Sequence, residues 1–305
     1  MDAKIKQFQI IRGTLMGDML VDEPLSKHTS FRIGGPADVY YYPPNLENLI
    51  SSLDLCRREG ISRFVIGNGT DLLFSDEGFR GMVIDLSCGF KAMDAKGTAA
   101  TAEAGVTMQD FLIYLTERGL SGMEKLTGIP GQIGGCIRLN AGAFGSEIGD
   151  RLHSVAMLDA NGVPVHLERS SIRMEYRKTN IPSDGIVVEA DFILDDGNPK
   201  EMESIQQEIL SKRKEKQPLS FPSAGSVFKR PPGDYAGRLI EEAGCKGLRI
   251  GDAMVSKKHA NFIVNVHLAT AQDVWRLIEE VRERVFKQFG VTLELEIQPV
   301  GFSET

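Results

Sequence analysis

Apolar side chains recur at helical spacing in three long stretches of the chain, residues 45–60, 107–119 and 270–290. This spacing places them on one face and predicts an amphipathic helix in each stretch. Each stretch begins at a residue suited to an N-cap and ends at a glycine: Asn45 and Gly60, Thr107 and Gly119, Thr270 and Gly290. The last helix should bury a stripe made of Val274, Leu277, Ile278, Val281, Val285 and Phe289, with Trp275 only partly packed. Shorter patterns predict a charged helix over residues 199–217 and a short one over 236–244.

Between these helices, apolar and polar residues alternate with a period of two, which predicts β-strands. The sequence Asp-Ala-Asn-Gly joins two alternating runs within residues 154–167, which indicates a β-hairpin. The other predicted strands are residues 63–67, 81–86, 97–104, 185–194, 261–266 and 293–298. The chain is therefore of mixed α and β composition, with its middle third richest in strands.

Length and turn residues suggest how the chain is divided. Its 305 residues, 42% of them hydrophobic, suffice for about two ordinary domain cores. The charged helix ends before Pro218 and a run of turn residues, which marks a boundary. We predict three parts: residues 1–87, 88–217 and 218–305.

Charge and cysteine content exclude several classes of protein. A net charge of −7 and a pI near 5.4 argue against a nucleic-acid binder, which normally presents a basic face. No apolar run is long enough for a membrane helix, and the first twenty residues lack a signal-peptide core, so we expect a cytoplasmic protein without a membrane partner. The four cysteines are widely spaced and suggest neither a disulfide framework nor a metal site. The sequence is compatible with a monomer.

Two glycine-rich segments, residues 67–72 and 128–145, carry the first chemical signal. The second holds six glycines. Glycine allows close backbone approach and leaves N–H groups free to point at an anion such as phosphate, although it can equally mark an ordinary turn. Neither segment matches a Rossmann motif or a P-loop. Two converging turns could still hold a pyrophosphate, with Asn68 and Thr70 as additional donors.

Seven motifs follow one another along the chain: SFRIGGPADVYYYP, VIGNGTDLLFSDEGFRGMVIDLS, LTGIPGQIGGCIRLNAGAFGSEIGD, EYRKTNIP, PSAGSVFKRP, AGRLIEEAGCKGLRIGDAMVSKKHANFIVN and LELEIQPVG. In this order, over residues 30–301, they closely resemble the UDP-N-acetylenolpyruvoylglucosamine reductase family. The short PSAGSVFK motif is similar to the compact type of this family, type II, which lacks a tyrosine-bearing loop in its substrate domain.

The resemblance implies both a fold and a reaction. The fold would be α+β, with a two-part FAD-binding domain of the vanillyl-alcohol oxidase and p-cresol methylhydroxylase type and a C-terminal α/β substrate-binding domain. The reaction would be reduction of a small-molecule UDP-sugar, an enolpyruvyl ether, to a lactyl ether in peptidoglycan precursor synthesis. NADPH would be the co-substrate and FAD a non-covalent cofactor, because nothing near His28 indicates covalent attachment.

By the same resemblance, the two glycine-rich turns would wrap the FAD pyrophosphate. The expected cofactor-binding residues are Gly67, Asn68, Gly69, Thr70, Asp71, Pro130, Gly131, Gly134, Gly135, Asn140 and Gly142. No residue is expected to bind a metal.

Three residues match the catalytic residues of the family. Arg177 would polarise the substrate carboxylate, for which a planar guanidinium is suited; from the sequence alone it could equally be a surface residue. Ser226 would donate the proton, although Ser223 lies close by. Glu296 would position or protonate the intermediate; the strand pattern places Glu294 on the same face, and only the family pattern selects Glu296.

Substrate recognition is expected from a small basic pocket. Lys229, Arg230 and Arg238 follow Ser226 closely, and Tyr176 could pack near the substrate. We expect His259 to be a structural residue with its hydrogen bonds satisfied rather than a catalyst.

The chain differs from the family pattern at several positions. Gly69, Thr70 and Asp71 stand where Gly-Ser-Asn is expected, and Gln298 stands where arginine is frequent; Arg138 replaces a small or apolar residue. A carboxylate at position 71 would be unfavourable near a pyrophosphate unless it points away.

Two other functions remain open at this point. A flavin oxidase of the same fold would keep the glycine turns without needing Ser226 and its neighbours, and it would often bind its flavin covalently. A non-catalytic nucleotide-binding protein would have no use for Arg177, Ser226 and Glu296 together.

Overall fold

The computed structural model describes residues 11–302, which group into two compact units. Both units combine segments that are distant in the sequence. The first unit contains the described residues up to Val21, Asp38–Asn68 and Gly81–Ser211; the second contains Asp22–Ala37, Gly69–Arg80 and the described residues from Lys212 onward. The division at residues 87 and 217 stays a prediction.

The main helices are α1 Leu46–Glu59, α2 Met108–Glu117, α3 Ile133–Arg138, α4 Pro199–Lys216, α5 Ala236–Glu242 and α6 Ala271–Phe289. Local sequence signals predicted the helices named here with the exception of α3, which lies within the second glycine-rich segment. The side chain of Asn45 accepts a hydrogen bond from the first turn of α1, and Thr107 and Thr270 do the same for α2 and α6. Gly60 and Gly290 end α1 and α6 in the left-handed conformation.

The strands are mostly short. The first ten are β1 Asp18–Pro24, β2 Pro36–Tyr42, β3 Arg63–Ile66, β4 Leu72–Phe74, β5 Phe79–Asp85, β6 Met93–Lys96, β7 Ala99–Glu103, β8 Leu120–Ser121, β9 Gly142–Ala143 and β10 Ser146–Glu147. The other ten are β11 Leu152–Leu158, β12 Pro164–Glu168, β13 Met174–Glu175, β14 Lys178–Thr179, β15 Ile186–Ile193, β16 Asp195–Asp196, β17 Arg249–Ile250, β18 Ala253–Val255, β19 Ile263–Asn265 and β20 Gln298–Val300.

A five-stranded antiparallel sheet, in the order β12-β11-β15-β7-β6, organises the first unit. The predicted hairpin is confirmed as β11 and β12, and Asp159 stabilises its turn by accepting hydrogen bonds from the backbone N–H groups of Asn161 and Val163. On the same sheet Glu189 lies directly opposite Glu103. Burial raises the pKa of the Glu189 carboxyl, and two neighbouring carboxylates, Asp191 and Glu103, add to the rise.

The second unit has a three-stranded antiparallel sheet, β17-β18-β19, and a parallel pair, β4 with β20. Helix α6 packs on the three-stranded sheet. At the start of α6, the Asp76 carboxylate accepts hydrogen bonds from the backbone N–H groups of Ala271 and Gln272. The predicted stripe of α6 is buried except for Phe289, which is half-buried. Trp275 is half-buried and stacks on Phe302, as expected.

The strand predicted over residues 293–298 is wrong over most of its length. Only a single bridge between Leu295 and Phe228 precedes β20, which begins at Gln298. Residues 293–297 instead bond to an irregular segment around Val227, so no continuous ladder forms. The alternation of exposure survives in part, since Leu293 and Ile297 are buried.

Among residues 11–302, no helix combines the length and the apolar character that a membrane crossing requires.

Candidate functional site

The two glycine-rich turns meet in the first unit, although they are about sixty residues apart in the chain. The side-chain amide of Asn68 donates a hydrogen bond to the Pro130 carbonyl over 2.6 Å. Gly67 lies close enough to Gln132 that a Cβ at position 67 would be 3.4 Å from Oε1 of that glutamine. Residues 67–68 of the first turn therefore lie next to residues 130–132 of the second, as the sequence suggested.

The glycines of the second turn fall into two kinds. Gly134 is needed by the protein itself, because a Cβ there would lie 2.9 Å from the Ala104 Cβ, and at Gly131 it would lie 2.7 Å from Cys136 Sγ. At Gly135, which is exposed, a Cβ would meet nothing within 4 Å. Internal packing does not explain a glycine at position 135, whereas a group approaching the backbone from outside does. Of these glycines, the exposed Gly135 has room for the pyrophosphate of FAD, and that contact stays a prediction.

In the second unit, Gly69 is held against the segment that precedes the first motif. Its carbonyl accepts a hydrogen bond from the Ser30 N–H over 3.0 Å. Its φ is +60°, and a Cβ there would lie 2.0 Å from the His28 carbonyl oxygen. Position 69 therefore tolerates only glycine, and the half-buried Thr70 follows it directly.

Asp71 and Gln298, two of the positions that differ from the family pattern, bind each other. Nε2 of Gln298 donates to Asp71 Oδ2 over 2.9 Å, and the Gln298 backbone N–H donates to the Asp71 carbonyl over 2.7 Å. Burial raises the pKa of the Asp71 carboxyl and nearby Glu296 adds to the rise, whereas the bond from Gln298 opposes it. The side chain of Asp71 is thus directed to the segment that carries Glu296.

Asn140 is fully buried, and its side-chain amide is committed to its own unit. Nδ2 donates to Glu147 Oε2 over 2.5 Å and to the Glu175 carbonyl over 3.2 Å, while Oδ1 accepts from the Gly149 N–H. Its backbone has a φ of +42°. Contact between FAD and Asn140 stays a prediction and would use the backbone. The sequence carried no signal for Glu147 as a partner, because no local pattern links the two positions.

Arg177 occupies a strained position in the first unit. It lies in the two-residue turn between β13 and β14 with a φ of +54°, a conformation in which glycine is usual. Its guanidinium donates to the Gly142 carbonyl over 3.0 Å and lies 5.2 Å from the ring centroid of Tyr176, which is 48% exposed. Backbone strain at a non-glycine residue is typical of functional positions.

Ser226 and Glu296 lie on neighbouring segments of the second unit. The Glu296 backbone N–H donates to the carbonyl of Val227, the residue after the serine, over 2.8 Å. Both Ser226 and Glu296 are half-buried, whereas the side chain of Glu294 is 77% exposed and pairs with Lys229. The structure therefore separates the two glutamates that the strand pattern left equivalent.

The predicted basic residues of the second unit already carry partners. Arg238 lies between the carboxylates of Asp234 and Glu242, which raise the pKa of its guanidinium. The guanidinium of Arg230 lies 4.7 Å from the ring centroid of Tyr235. Lys229 pairs with the exposed Glu294, and binding of the substrate diphosphate by these residues stays a prediction.

His259 does not match its expected role. Its Nδ1 is buried without a hydrogen-bond partner, and its ring packs edge-on against Phe262 at 4.8 Å between centroids. Burial lowers the pKa of the imidazole. It is a packing residue rather than a hydrogen-bonding one. Over the described span, acidic, histidine and cysteine side chains form no group that could hold a metal ion.

Two family models match the chain. Residues 37–168 match the model described as an FAD binding domain, and residues 217–300 match the C-terminal domain of UDP-N-acetylenolpyruvoylglucosamine reductase.

Relatives that align with nearly the whole chain are UDP-N-acetylenolpyruvoylglucosamine reductases. The UDP-N-acetylenolpyruvoylglucosamine reductase of Caldanaerobacter subterraneus is 44% identical over 93% of this chain and 94% of its own length. The reductase of Clostridioides difficile is 41% identical over 93% of this chain and 94% of its own length.

Solved structures agree with these relatives. The crystal structure of UDP-N-acetylenolpyruvylglucosamine reductase from Thermus caldophilus aligns with a TM-score of 0.81 at 36% identity, covering 93% of this chain and 99% of that one. BBE-like 1 of Physcomitrella patens aligns with a TM-score of 0.50 at 17% identity, over 62% of this chain and 44% of that one, and shares the fold alone.

Proposed function

This chain belongs to the UDP-N-acetylenolpyruvoylglucosamine reductase family, and we propose that it uses NADPH to reduce UDP-N-acetylglucosamine enolpyruvate to UDP-N-acetylmuramate. It is an FAD-dependent oxidoreductase of peptidoglycan precursor synthesis with the α+β fold expected for it. The near-complete alignment with relatives that carry this activity in their names is the observation that supports the proposal most strongly. We place the reaction in the cytoplasm, where NADPH and nucleotide sugars are found.

The reaction adds a hydride and a proton across a carbon–carbon double bond. FAD, when bound, supplies the two-electron chemistry that carries hydride from NADPH to the terminal methylene carbon of the enolpyruvyl group. The turns that contain Gly67, Asn68 and Gly135 would hold its pyrophosphate. Negative charge then develops on the adjacent carbon of the substrate and on its carboxylate.

Arg177 would bind the substrate carboxylate. Its guanidinium can form two parallel hydrogen bonds and stays charged at any working pH, so it stabilises the negative charge as that charge grows. One aligned donor of this kind contributes roughly 3–4 kcal/mol to catalysis. A hydrogen bond from its guanidinium to the Gly142 carbonyl would orient the side chain before substrate arrives.

Ser226 would give its hydroxyl proton to the carbon next to the carboxylate, which completes the lactyl ether. An alcohol is a weak acid and can act only when held at hydrogen-bond distance from a strongly basic carbon. Glu296, on the neighbouring segment, would position or protonate the same intermediate.

Isotope labelling tests the proposal directly. The FAD-loaded protein is incubated with the enolpyruvyl substrate and NADPH deuterated at its transferable position, and in a second reaction with unlabelled NADPH in D₂O. We expect UDP-N-acetylmuramate in both cases, with deuterium on the carbon next to the carboxylate when the reaction is run in D₂O. Oxygen consumption without UDP-N-acetylmuramate would contradict the proposal and favour an oxidase.

A further inference from the structure

We infer that residues 138–142, here called the anchor segment, hold the hairpin of residues 174–179 in place and thereby make Asn140 and Thr179 positioning residues for Arg177. The inference rests on the proposed function of Arg177. It adds roles that neither the sequence motifs nor the family models assign.

The hairpin cannot fix Arg177 on its own. Its strands, β13 and β14, have two residues each, and a two-stranded hairpin is at best marginally stable in water. Three of its six residues are exposed and the other three are half-buried. The turn also holds Arg177 at a φ of +54°, a left-handed conformation that is unfavourable for an L-residue. Contacts from outside must therefore maintain this conformation.

The first outside contact is made by Thr179, the last residue of the hairpin. Its Oγ1 donates to the Arg138 carbonyl over 3.0 Å. The guanidinium of Arg138 in turn donates to the carbonyls of Pro182, Ser183 and Gly185, just after the hairpin. Arg138, one of the departures from the family pattern, thus fixes the exit of the hairpin through both its backbone and its side chain.

The second contact is made by Asn140 to the other strand. Its Nδ2 donates to the carbonyl of Glu175, which immediately precedes the turn residues Tyr176 and Arg177. The remaining bonds of the same amide, to Glu147 and to the Gly149 N–H, lock its rotamer. Because Asn140 is fully buried, losing one of these bonds would leave a buried polar group unsatisfied, so the arrangement resists displacement.

The third contact reaches the functional side chain itself. The guanidinium of Arg177 donates to the Gly142 carbonyl at the far end of the anchor segment. Three residues of the anchor segment, Arg138, Asn140 and Gly142, therefore contact both strands of the hairpin and the arginine between them. A shift of the segment would displace the guanidinium, and displacements near 1 Å can cost a reaction about 100-fold.

Thr179→Val tests the inference, because it keeps the side-chain shape and removes only the hydroxyl donor. Thr179→Ser retains the donor, and Thr116→Val makes the same chemical change within α2, where the hydroxyl bonds to the Leu112 carbonyl. The enzyme is loaded with FAD, reduced anaerobically by NADPH and mixed with the enolpyruvyl substrate in a stopped-flow instrument. Both half-reactions are recorded from the flavin absorbance.

We expect Thr179→Val to slow reoxidation by the substrate on the order of 10-fold while reduction by NADPH stays near the wild-type rate. Thr179→Ser and Thr116→Val should resemble wild type in both half-reactions. Added to Arg177→Lys, the valine change should cost little more, because both act through the same guanidinium. Wild-type reoxidation in Thr179→Val, or an equal loss in both half-reactions, would overturn the inference.

The same experiment separates this inference from the proposed function. Failure of the wild-type enzyme to be reoxidised by the enolpyruvyl substrate would contradict the function itself. Normal reoxidation in Arg177→Lys would contradict the role of the arginine. A slow Arg177→Lys beside a normal Thr179→Val would contradict the anchor segment alone.

Discussion

Two glutamates two residues apart provide the sharpest test of the catalytic assignment. Glu296→Gln and Glu294→Gln each replace a carboxylate with an amide of the same shape, so packing is preserved in both variants. Their surroundings differ. Glu296 is half-buried and its backbone N–H donates to the Val227 carbonyl, whereas the side chain of Glu294 is 77% exposed and lies 3.7 Å from Lys229 Nζ.

The expected magnitudes follow from these surroundings. An exposed ion pair such as Glu294–Lys229 contributes about 0–1 kcal/mol, so its loss should leave the rate close to wild type. A residue that transfers or positions a proton in the transition state raises the reaction rate roughly 10²–10⁴-fold. This corresponds to about 3–5 kcal/mol of activation free energy at 1.36 kcal/mol per tenfold change. We therefore expect the Glu296 variant to be slower than the Glu294 variant by at least about two orders of magnitude.

A single-turnover assay isolates the relevant step. Each variant is reduced by NADPH without oxygen, and the return of flavin colour is followed after addition of the enolpyruvyl substrate. Flavin content and the rate of reduction by NADPH serve as controls, because neither requires the proton. Equal, mild losses in Glu296→Gln and Glu294→Gln would refute the assignment of Glu296, and a larger loss in the Glu294 variant would show that the wrong glutamate was chosen.

Three further predictions concern charge geometry, backbone strain and pH. Arg177→Lys should lower the rate of reoxidation by the substrate about 100-fold, because an ammonium cannot form two parallel bonds to a carboxylate; near-normal kinetics would indicate a surface role. Gly69→Ala should destabilise the protein by about 3 kcal/mol or more in urea unfolding, because a Cβ there would lie 2.0 Å from the His28 carbonyl oxygen. Gly97 has the same φ of +60° but open space around it, so Gly97→Ala should cost only about 1 kcal/mol. Because folding raises the pKa of Glu189, the wild type loses stability as the pH rises through that pKa. Glu189→Gln should therefore stabilise the protein at neutral pH and lose this advantage towards pH 4. A gain in stability that does not depend on pH would show that the ionisation of Glu189 is not its cause.

Local signals allowed the helices to be predicted from the sequence. The caps Asn45, Thr107 and Thr270 act within four residues of the helices they begin, so the information lies inside each segment. The segment from Leu293 to Ile297 shows the limit of such reasoning. Its apolar and polar residues alternate as they do in a strand, but whether a strand forms depends on a pairing partner elsewhere in the chain.

The site was predictable only as a set of residues. Family motifs indicated Arg177, Ser226 and Glu296, but the contacts around the site join residues far apart in the chain. Nothing local predicts that Asn68 bonds to Pro130 or that Asp71 bonds to Gln298. Both positions of the second pair looked like isolated departures in the sequence, and the structure shows that they are partners.

The measurement that tests the central claim most directly is an anaerobic absorbance spectrum of the FAD-loaded protein. It is recorded before and after NADPH, and again after UDP-N-acetylglucosamine enolpyruvate is added. We predict that NADPH bleaches the yellow flavin and that the enolpyruvyl substrate alone restores the colour with formation of UDP-N-acetylmuramate. A flavin that regains its colour only with oxygen, or a protein that binds no flavin, would contradict the account.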